Sequence, residues 1–351
     1  MRAYECQCGG PLFFHSTQCE GCGQTVGMCA SCLQVTAMRS TAGGHWQCVC
    51  CNSEWNLCDN RCNHGVCNGV VSVANLPAET TPSQSMQMAP KLVSADANLC
   101  WFCSLNRVIP DLSIVGNLQK WRRLEFAKHR VLHGVHQIGL PIFADSDSVQ
   151  PRLTFDFKSS EVESVSTGHQ NGVITIDIDE ADSVQRERIR VKFGEPQRTL
   201  VGHFRHELGH YFWDVCVNPR RLDDYRQLFG DHVHPNYTDA QQAYYAGGPP
   251  IDWQDRFISE YATMHPWEDF AETFNAYLDM AAIVSTSTHF NKLTVNVDGH
   301  DFDQLLDAYQ GIGIAVNELN RDIGLLDLVP EVFNPSVVQK LRFVHSLANG
   351  C

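Results

Sequence analysis

Residues 203–214 read His203-Phe204-Arg205-His206-Glu207-Leu208-Gly209-His210-Tyr211-Phe212-Trp213-Asp214. His206 and His210 stand four apart, so on a helix they share one face and both rings can reach one metal ion. Glu207 sits beside the first of them, where its carboxylate can take a proton from a water that zinc has acidified. This spacing is the His-Glu-x-x-His zinc signature. With 16 His and 40 Asp plus Glu in 351 residues, its chance occurrence is on the order of a few per cent. The flanks agree with it. Pro196 stands where a helix tolerates proline best, the stretch Thr199 to Phe204 leads in, and Tyr211-Phe212-Trp213 follow. Apolar residues on nearly every side mark a helix buried in a domain. Two histidines and a glutamate buried there need partners, and a metal is the simplest one.

A catalytic zinc takes three protein ligands and leaves one position open. The third is expected from His265-Pro266-Trp267-Glu268-Asp269-Phe270-Ala271-Glu272. Pro266 can open a helix with acids in its first turn, and Glu268 and Glu272 share one face of it. Glu268 is the expected ligand. Glu272 is expected to accept a hydrogen bond from a ligand histidine and fix its tautomer. Asp214 follows His210 by four, but ligands on three successive turns spread by about 5–6 Å per turn, so it reads as a supporting residue. Cys216 follows no glycine turn and is not expected to bind the metal. Tyr261, seven residues before Glu268, can stabilise an oxyanion. His203, His232, His234 and His265 read as structural neighbours.

These runs resemble the bacterial zinc-binding metallopeptidases that carry an N-terminal zinc ribbon. The likeness extends through Leu140-Pro141, Thr167-Gly168-His169, Gly172-Val173-Ile174-Thr175, Glu180-Ala181-Asp182, Arg186-Glu187-Arg188, Gly194-Glu195-Pro196, Arg198-Thr199-Leu200 and His265 to Asp269. It implies a zincin with a glutamate third ligand. The run Glu268 to Glu272, with Tyr261 upstream, is similar to the catalytic end of anthrax lethal factor, which supports Glu268 as ligand and Tyr261 as oxyanion stabiliser. The family implies a peptidase and supplies no substrate.

Fourteen of the 16 cysteines lie before residue 104. Close pairs recur, which is the zinc-knuckle pattern. Cys6, Cys8, Cys19 and Cys22 make one four-thiolate set, and Cys29, Cys32, Cys48 and Cys51 a second. Cys62, Cys67, Cys100 and Cys103 make a third, with Cys50 and Cys58 left over as substitutes for a nominated ligand. A disulfide scaffold has no need of repeated Cys-x-x-Cys pairs, and Met1 to Cys6 contains no apolar signal core. Metal is therefore expected, one catalytic zinc and two to three structural ones, with zinc supplying most of the folding free energy of this segment. Cys216 and Cys351 are expected as free thiols in a reducing, cytoplasmic compartment.

The expected fold class is α+β. A cysteine-rich zinc-ribbon region, residues 1–110 with a mobile insertion at about 70–98, precedes a zincin-like domain over 111–351, mostly helical with a small mixed sheet. Residues 117–138 show helical spacing, with Leu118, Trp121, Leu124, Leu132, Val135 and Ile138 apolar and Lys120, Arg122, Arg123, Lys128 and Arg130 on a solvent face. Leu153–Phe157 and Gly172–Ile178 alternate as strands. The second is expected to be the edge strand that pairs with an extended substrate. A loop is expected around Gly230–Pro250, then a helical C-terminal part.

Residues 1–70 hold three arginines against Glu5, Glu20, Glu54 and Asp59, and the chain carries a net charge of −14, so no nucleic-acid footprint is present. No apolar run is long enough for a membrane span. The reading is a zinc metallopeptidase acting on peptide or protein substrates, whose ribbons hold structure and bind substrate or a protein partner. Two competing readings are a catalytically silent zincin scaffold with protein-binding ribbons, and a hydrolase of an isopeptide or other amide.

Overall fold

The cysteine pairs fall at or just beyond the ends of short strands, where a turn can aim both sulfurs inward. The computed structural model describes residues 3–73, 98–142, 149–160, 165–193, 198–290, 300–348 and 351. Pro196 and most of the 70–98 insertion lie outside these residues. The chain divides into two units, Arg2–Leu132 with Ile142–Val201, and His133–Pro141 with Gly202–Cys351.

In the first unit, β1 (Tyr4–Glu5) and β2 (Pro11–Leu12) form a small hairpin. An antiparallel sheet follows in chain order, β3 (Val26–Met28), β4 (Val35–Ser40), β5 (Trp46–Cys48), β6 (Glu54–Leu57) and, after the short helix α1 (Asp59–His64), β7 (Val70–Ser72). One core cluster of this sheet is Cys29, Met38, Cys48, Trp55 and Val70, with Cys32, Trp46 and Leu57 against them, and Val26, Met28, Val35 and Ala37 of β3 and β4 are buried as well. Three of the eight cluster residues, Cys29, Cys32 and Cys48, are cysteines.

A second sheet is mixed. β8 (Asn106–Val108), β9 (Thr154–Lys158), β10 (Gly168–Gln170) and β11 (Val173–Asp177) lie in the order β10-β11-β9-β8, with β9 parallel to both β8 and β11. Helices α2 (Asn117–Gln137) and α3 (Ser183–Phe193) precede and follow the β9–β11 stretch in sequence. β11 is not an edge strand: β10 pairs with Val173, Ile174 and Thr175 on one side and β9 pairs along the other, so over those three residues its backbone has no free side for a substrate. The outer strand next to it is β10. Alternation marked β11 as a strand, but alternation carries no information about which neighbours close its edges.

α2 matches its expected span, with two reversals. Lys128 is fully buried rather than solvent-facing. It stands four from both Leu124 and Leu132, on the apolar stripe, and its charge is met by Glu125 at 2.9 Å and by the rings of Phe155 and Phe157 at 5.3 and 5.4 Å. Leu118, expected on the apolar face, is exposed.

The second unit is helical. α4 (Leu200–Phe212) runs into a π-helical turn, Trp213–Val217, followed by α5 (Leu222–Phe229), α6 (Tyr237–Gly247), α7 (Pro266–His289), α8 (Phe302–Asp322) and α9 (Pro335–Leu347). The stretch expected as a loop around Gly230–Pro250 contains α6, capped by Asn236, whose side chain accepts from the Asp239 amide at 3.0 Å. α7 begins as its sequence dictates: Pro266 opens it and the His265 ring accepts the Trp267 amide at 3.1 Å. α7 packs against α5, α8 and α9, and buried Asp269 ties it to Lys340 of α9 at 2.6 Å.

α4 meets α7 at Gly209. A Cβ there would lie 2.8 Å from the Ala271 Cα, closer than packed carbons come. Phe212 stacks on Phe274 one turn further on, centroids 5.3 Å apart. Cys216 and Cys351, expected as free thiols, form a disulfide with Cα atoms 4.8 Å apart. The π-helical turn carries Cys216, and the chain after α9 brings Cys351 to it, a proximity that a separation of 135 residues hides. A disulfide persists in an oxidising environment, so this pair gives no support to a reducing compartment. Among the described residues no helix is long and apolar enough to cross a membrane.

Two predictions follow the packing. Gly209→Ala should lower stability in urea denaturation by about 1–3 kcal/mol through overpacking against a backbone atom, although alanine is the better helix former. Gly311→Ala in α8, where a Cβ meets nothing within 4 Å, should instead raise it by about 0.5–1 kcal/mol. Closing a loop of 135 residues is worth at most about 5 kcal/mol in the chain-entropy account. Cys351→Ser should therefore unfold at lower urea than the wild type in non-reducing buffer, and a phosphine reductant should erase the gap.

Candidate active site and metal centres

The close approach of α4 and α7 brings four expected residues together. His206 and His210 lie three before and one after Gly209; Glu268 and Glu272 lie three before and one after Ala271. His206 Nε2 is 3.2 Å from His210 Nε2. Glu268 Oε2 is 2.9 Å from the first and 3.5 Å from the second. Ligand atoms about 2.1 Å from a tetrahedral zinc stand about 3.4 Å apart, so the three atoms have the spacing of a metal triad. Glu268 Oε2 is also buried without a well-aligned hydrogen bond, which is costly unless something else, such as a cation, satisfies it. On these two observations the donor set fits zinc.

The supporting contacts are specific. Glu272 accepts from His206 Nδ1 at 2.7 Å and is itself held by Ser259 Oγ at 2.7 Å. Nε2 of His206 is thereby left facing the triad. Tyr237 Oη donates to the other oxygen of Glu268, Oε1, at 2.8 Å. Tyr261 hydrogen-bonds to Tyr237 and lies near His206, ring centroids 6.1 Å apart. The His210 ring packs on Trp267 at 3.7 Å. Asp214 is near enough for the His210 charge to act on its carboxyl, yet His210 Nδ1 has no hydrogen bond, so Asp214 does not fix that tautomer. His265 caps α7, as a structural neighbour should.

The electrostatics follow from burial and sign. Burial lowers the His206 ring, but Glu268 and Glu272 outweigh it and hold the ring well above its usual range. Burial raises Glu268, but His210 and His206 outweigh it and hold the carboxyl well down. Glu207, buried at the side of the triad, goes the other way: burial pushes its carboxyl up, against the pull of His206 and His210. Two carboxylates thus favour positive charge among the imidazoles, while Glu207 becomes a stronger proton acceptor than an exposed glutamate.

Tyr237 and Ser259 escaped the sequence reading. The capping signal Asn236-x-x-Asp239 marks the helix that carries Tyr237, but nothing local states that its hydroxyl turns to Glu268.

The cysteines form three clusters. In the first, Cys6 lies 3.7 Å from Cys22 and Cys8 lies 3.6 Å from Cys19, sulfur to sulfur. In the second, Cys29–Cys51 is 3.6 Å and Cys32–Cys48 is 3.9 Å. Sulfurs about 2.3 Å from a tetrahedral zinc stand about 3.8 Å apart, whereas a disulfide would bring them to about 2.0 Å. Both sets fit a four-thiolate metal site. The third cluster corrects the expectation: it unites Cys58, Cys67, Cys100 and Cys103, and Cys62 is exposed. Cys58, at the N-cap of α1, has extended backbone while Cys62 lies a turn inside the helix, so the two do not share a helical face.

Residues 117–347 match the model of a family described as "Putative zinc-binding metallo-peptidase", and residues 3–114 match that of a zinc-ribbon domain. Proteins of Mycobacterium tuberculosis and Mycobacterium bovis, both described as uncharacterized, are 34% identical over 361 residues, covering 99% of this chain and 96% of theirs. No solved structure matches. The fold is α+β, with the cysteine clusters in the ribbon match and the histidine–glutamate triad in the other. On that match and that geometry, the chain belongs to this family of zinc-binding metallo-peptidases and carries a zinc-ribbon domain ahead of it.

Proposed function

We propose that the chain is a zinc-dependent peptidase that hydrolyses peptide bonds, with His206, His210 and Glu268 holding the ion. The observation that carries this reading is the convergence of His206 Nε2, His210 Nε2 and Glu268 Oε2 within 3.5 Å of one another, beside a glutamate that burial makes basic. Zinc bound there would lower the pKa of a coordinated water toward neutrality and polarise the scissile carbonyl.

The chain's own residues do the rest. Glu207 takes the proton of the attacking water and passes it to the leaving amine. Tyr261 donates to the oxyanion. Tyr237 holds Glu268 by its outer oxygen, and Glu272 holds His206 by its far nitrogen, so neither ligand has to reorient during turnover. The first two cysteine clusters hold structural zinc, and the ribbon region binds substrate or a protein partner.

The test is a peptide-library digest read by mass spectrometry, run beside metal analysis. Glu207→Gln should keep its metal and lose about 10²–10⁴-fold in activity; a variant as active as wild type would overturn the assignment. A wild type that holds the metal and binds peptides without cleaving any would favour the scaffold reading, and cleavage of branched but not linear substrates the isopeptide one. Tyr261→Phe should lower kcat by about 10²-fold with little change in KM. Glu272→Gln should weaken metal binding about 10–100-fold in a chelator competition, with Ser259→Ala moving the same way by less.

A further inference from the structure

The third cysteine cluster differs from the first two in what surrounds it. Cys58, Cys67, Cys100 and Cys103 are all buried, the most exposed of them at 1%, whereas each of the other sets keeps an exposed cysteine. Their sulfurs lie within 4.8 Å of one another. The backbone amide of Cys100 donates to Cys58 Sγ at 3.3 Å, the bond that backbone gives to a thiolate more readily than to a thiol. Gly69 borders the cluster so closely that a Cβ there would stand 2.4 Å from Cys100 Sγ.

An arginine and a histidine flank it. Arg61, half-buried beside the cluster, feels the charge of Cys67, Cys62 and Cys58 and directs its donors to Asn68 O and Thr17 O at 3.3 and 3.0 Å. From α2, His129 Nε2 lies 4.0 Å from Cys103 Sγ and 2.9 Å from Glu125 Oε2. Glu125 is fixed in turn by Asn106 at 2.7 Å, Trp121 at 3.0 Å and Lys128. Four thiols that served only as small hydrophobes would have no use for a charged network of this kind at their side. A metal held by four thiolates carries about two net negative charges, and in a buried place that charge needs nearby cations.

We propose that Cys58, Cys67, Cys100 and Cys103 bind a third structural metal ion of the zinc class, with Cys58 in place of Cys62, that Arg61 offsets its thiolate charge, and that His129 stands in hydrogen-bonding reach of Cys103. The ion ties the β6–α1–β7 segment to the segment that enters β8, and His129 and Glu125 extend the tie to α2. The four cysteines remain unbonded in a chain that does bond Cys216 to Cys351, which is the pattern of a metal site and not of a second disulfide.

The test counts metals on the full-length protein by plasma mass spectrometry. Cys58→Ser should lose one ion per chain, and Cys62→Ser none. The His206→Ala/His210→Ala pair should lose a different one, so failure here is separable from failure of the peptidase reading. A Cys58→Ser protein that keeps the wild-type content, or a Cys62→Ser protein that loses an ion, overturns the proposal. Should Cys58→Ser not fold, the wild type decides alone. A mercurial reagent attacks thiolate ligands and spares histidine and carboxylate ones, so it should release about three zinc or iron ions per chain, and release of two overturns the proposal.

Discussion

Gly209 faces Ala271 across a gap that admits no side chain, and everything at the active site is indexed to that contact. On each helix the functional pair lies at minus three and plus one from the contact residue, which is the spacing that shares a face. Two helices that touch backbone to backbone bring those pairs within metal-ligand distance. A larger residue at either position would separate the axes and open the 2.9 and 3.5 Å separations of Glu268 from the two rings. The stacked Phe212–Phe274 pair and the buried Asp269–Lys340 pair matter because they keep α4 and α7 in that register. Preorganisation here is a packing property before it is a chemical one.

The cysteine-rich part solves the opposite problem. Its strands are short, and the cluster at their centre mixes Met38, Trp55 and Val70 with Cys29 and Cys48, while ordering some seventy residues carries a large entropy cost. Metal bound at four-thiolate sites would add to the folding free energy, since metal binding and folding are one equilibrium in such segments. Cys29, Cys32 and Cys48 belong both to that core and to the second cluster, so the metal site and the hydrophobic core are built from the same atoms.

What the sequence disclosed follows from how local each signal is. His206, Glu207 and His210 were legible because one helix carries them, and Glu268 and Glu272 because Pro266 announces the helix on which they stand. The first two cysteine sets were legible because each pair lies on one turn. Cys62 was nominated where Cys58 joins the cluster, since the choice depends on where α1 begins, and a helix start is uncertain by more than one residue. Lys128 was misplaced because its charge argued for solvent while its spacing from Leu124 and Leu132 argued for the core. The core won because Glu125 is there to receive it. The Cys216–Cys351 bond, the closed edges of β11 and the contact of Tyr237 with Glu268 are tertiary facts with no local trace.

A common logic connects the triad with the third cysteine cluster. Each buries groups that protein partners alone leave in conflict. At the triad, Glu268 Oε2 lacks a good hydrogen bond and two carboxylates crowd two imidazoles. At the cluster, four sulfurs meet away from water with Arg61 and His129 close by. Folding selects against such arrangements when they stand alone, because an unsatisfied buried polar group costs about 1–3 kcal/mol. A bound cation would turn both from liabilities into strong local contacts. That is why the places where these residues break the ordinary rules of a protein interior are also the places where metal chemistry is to be sought.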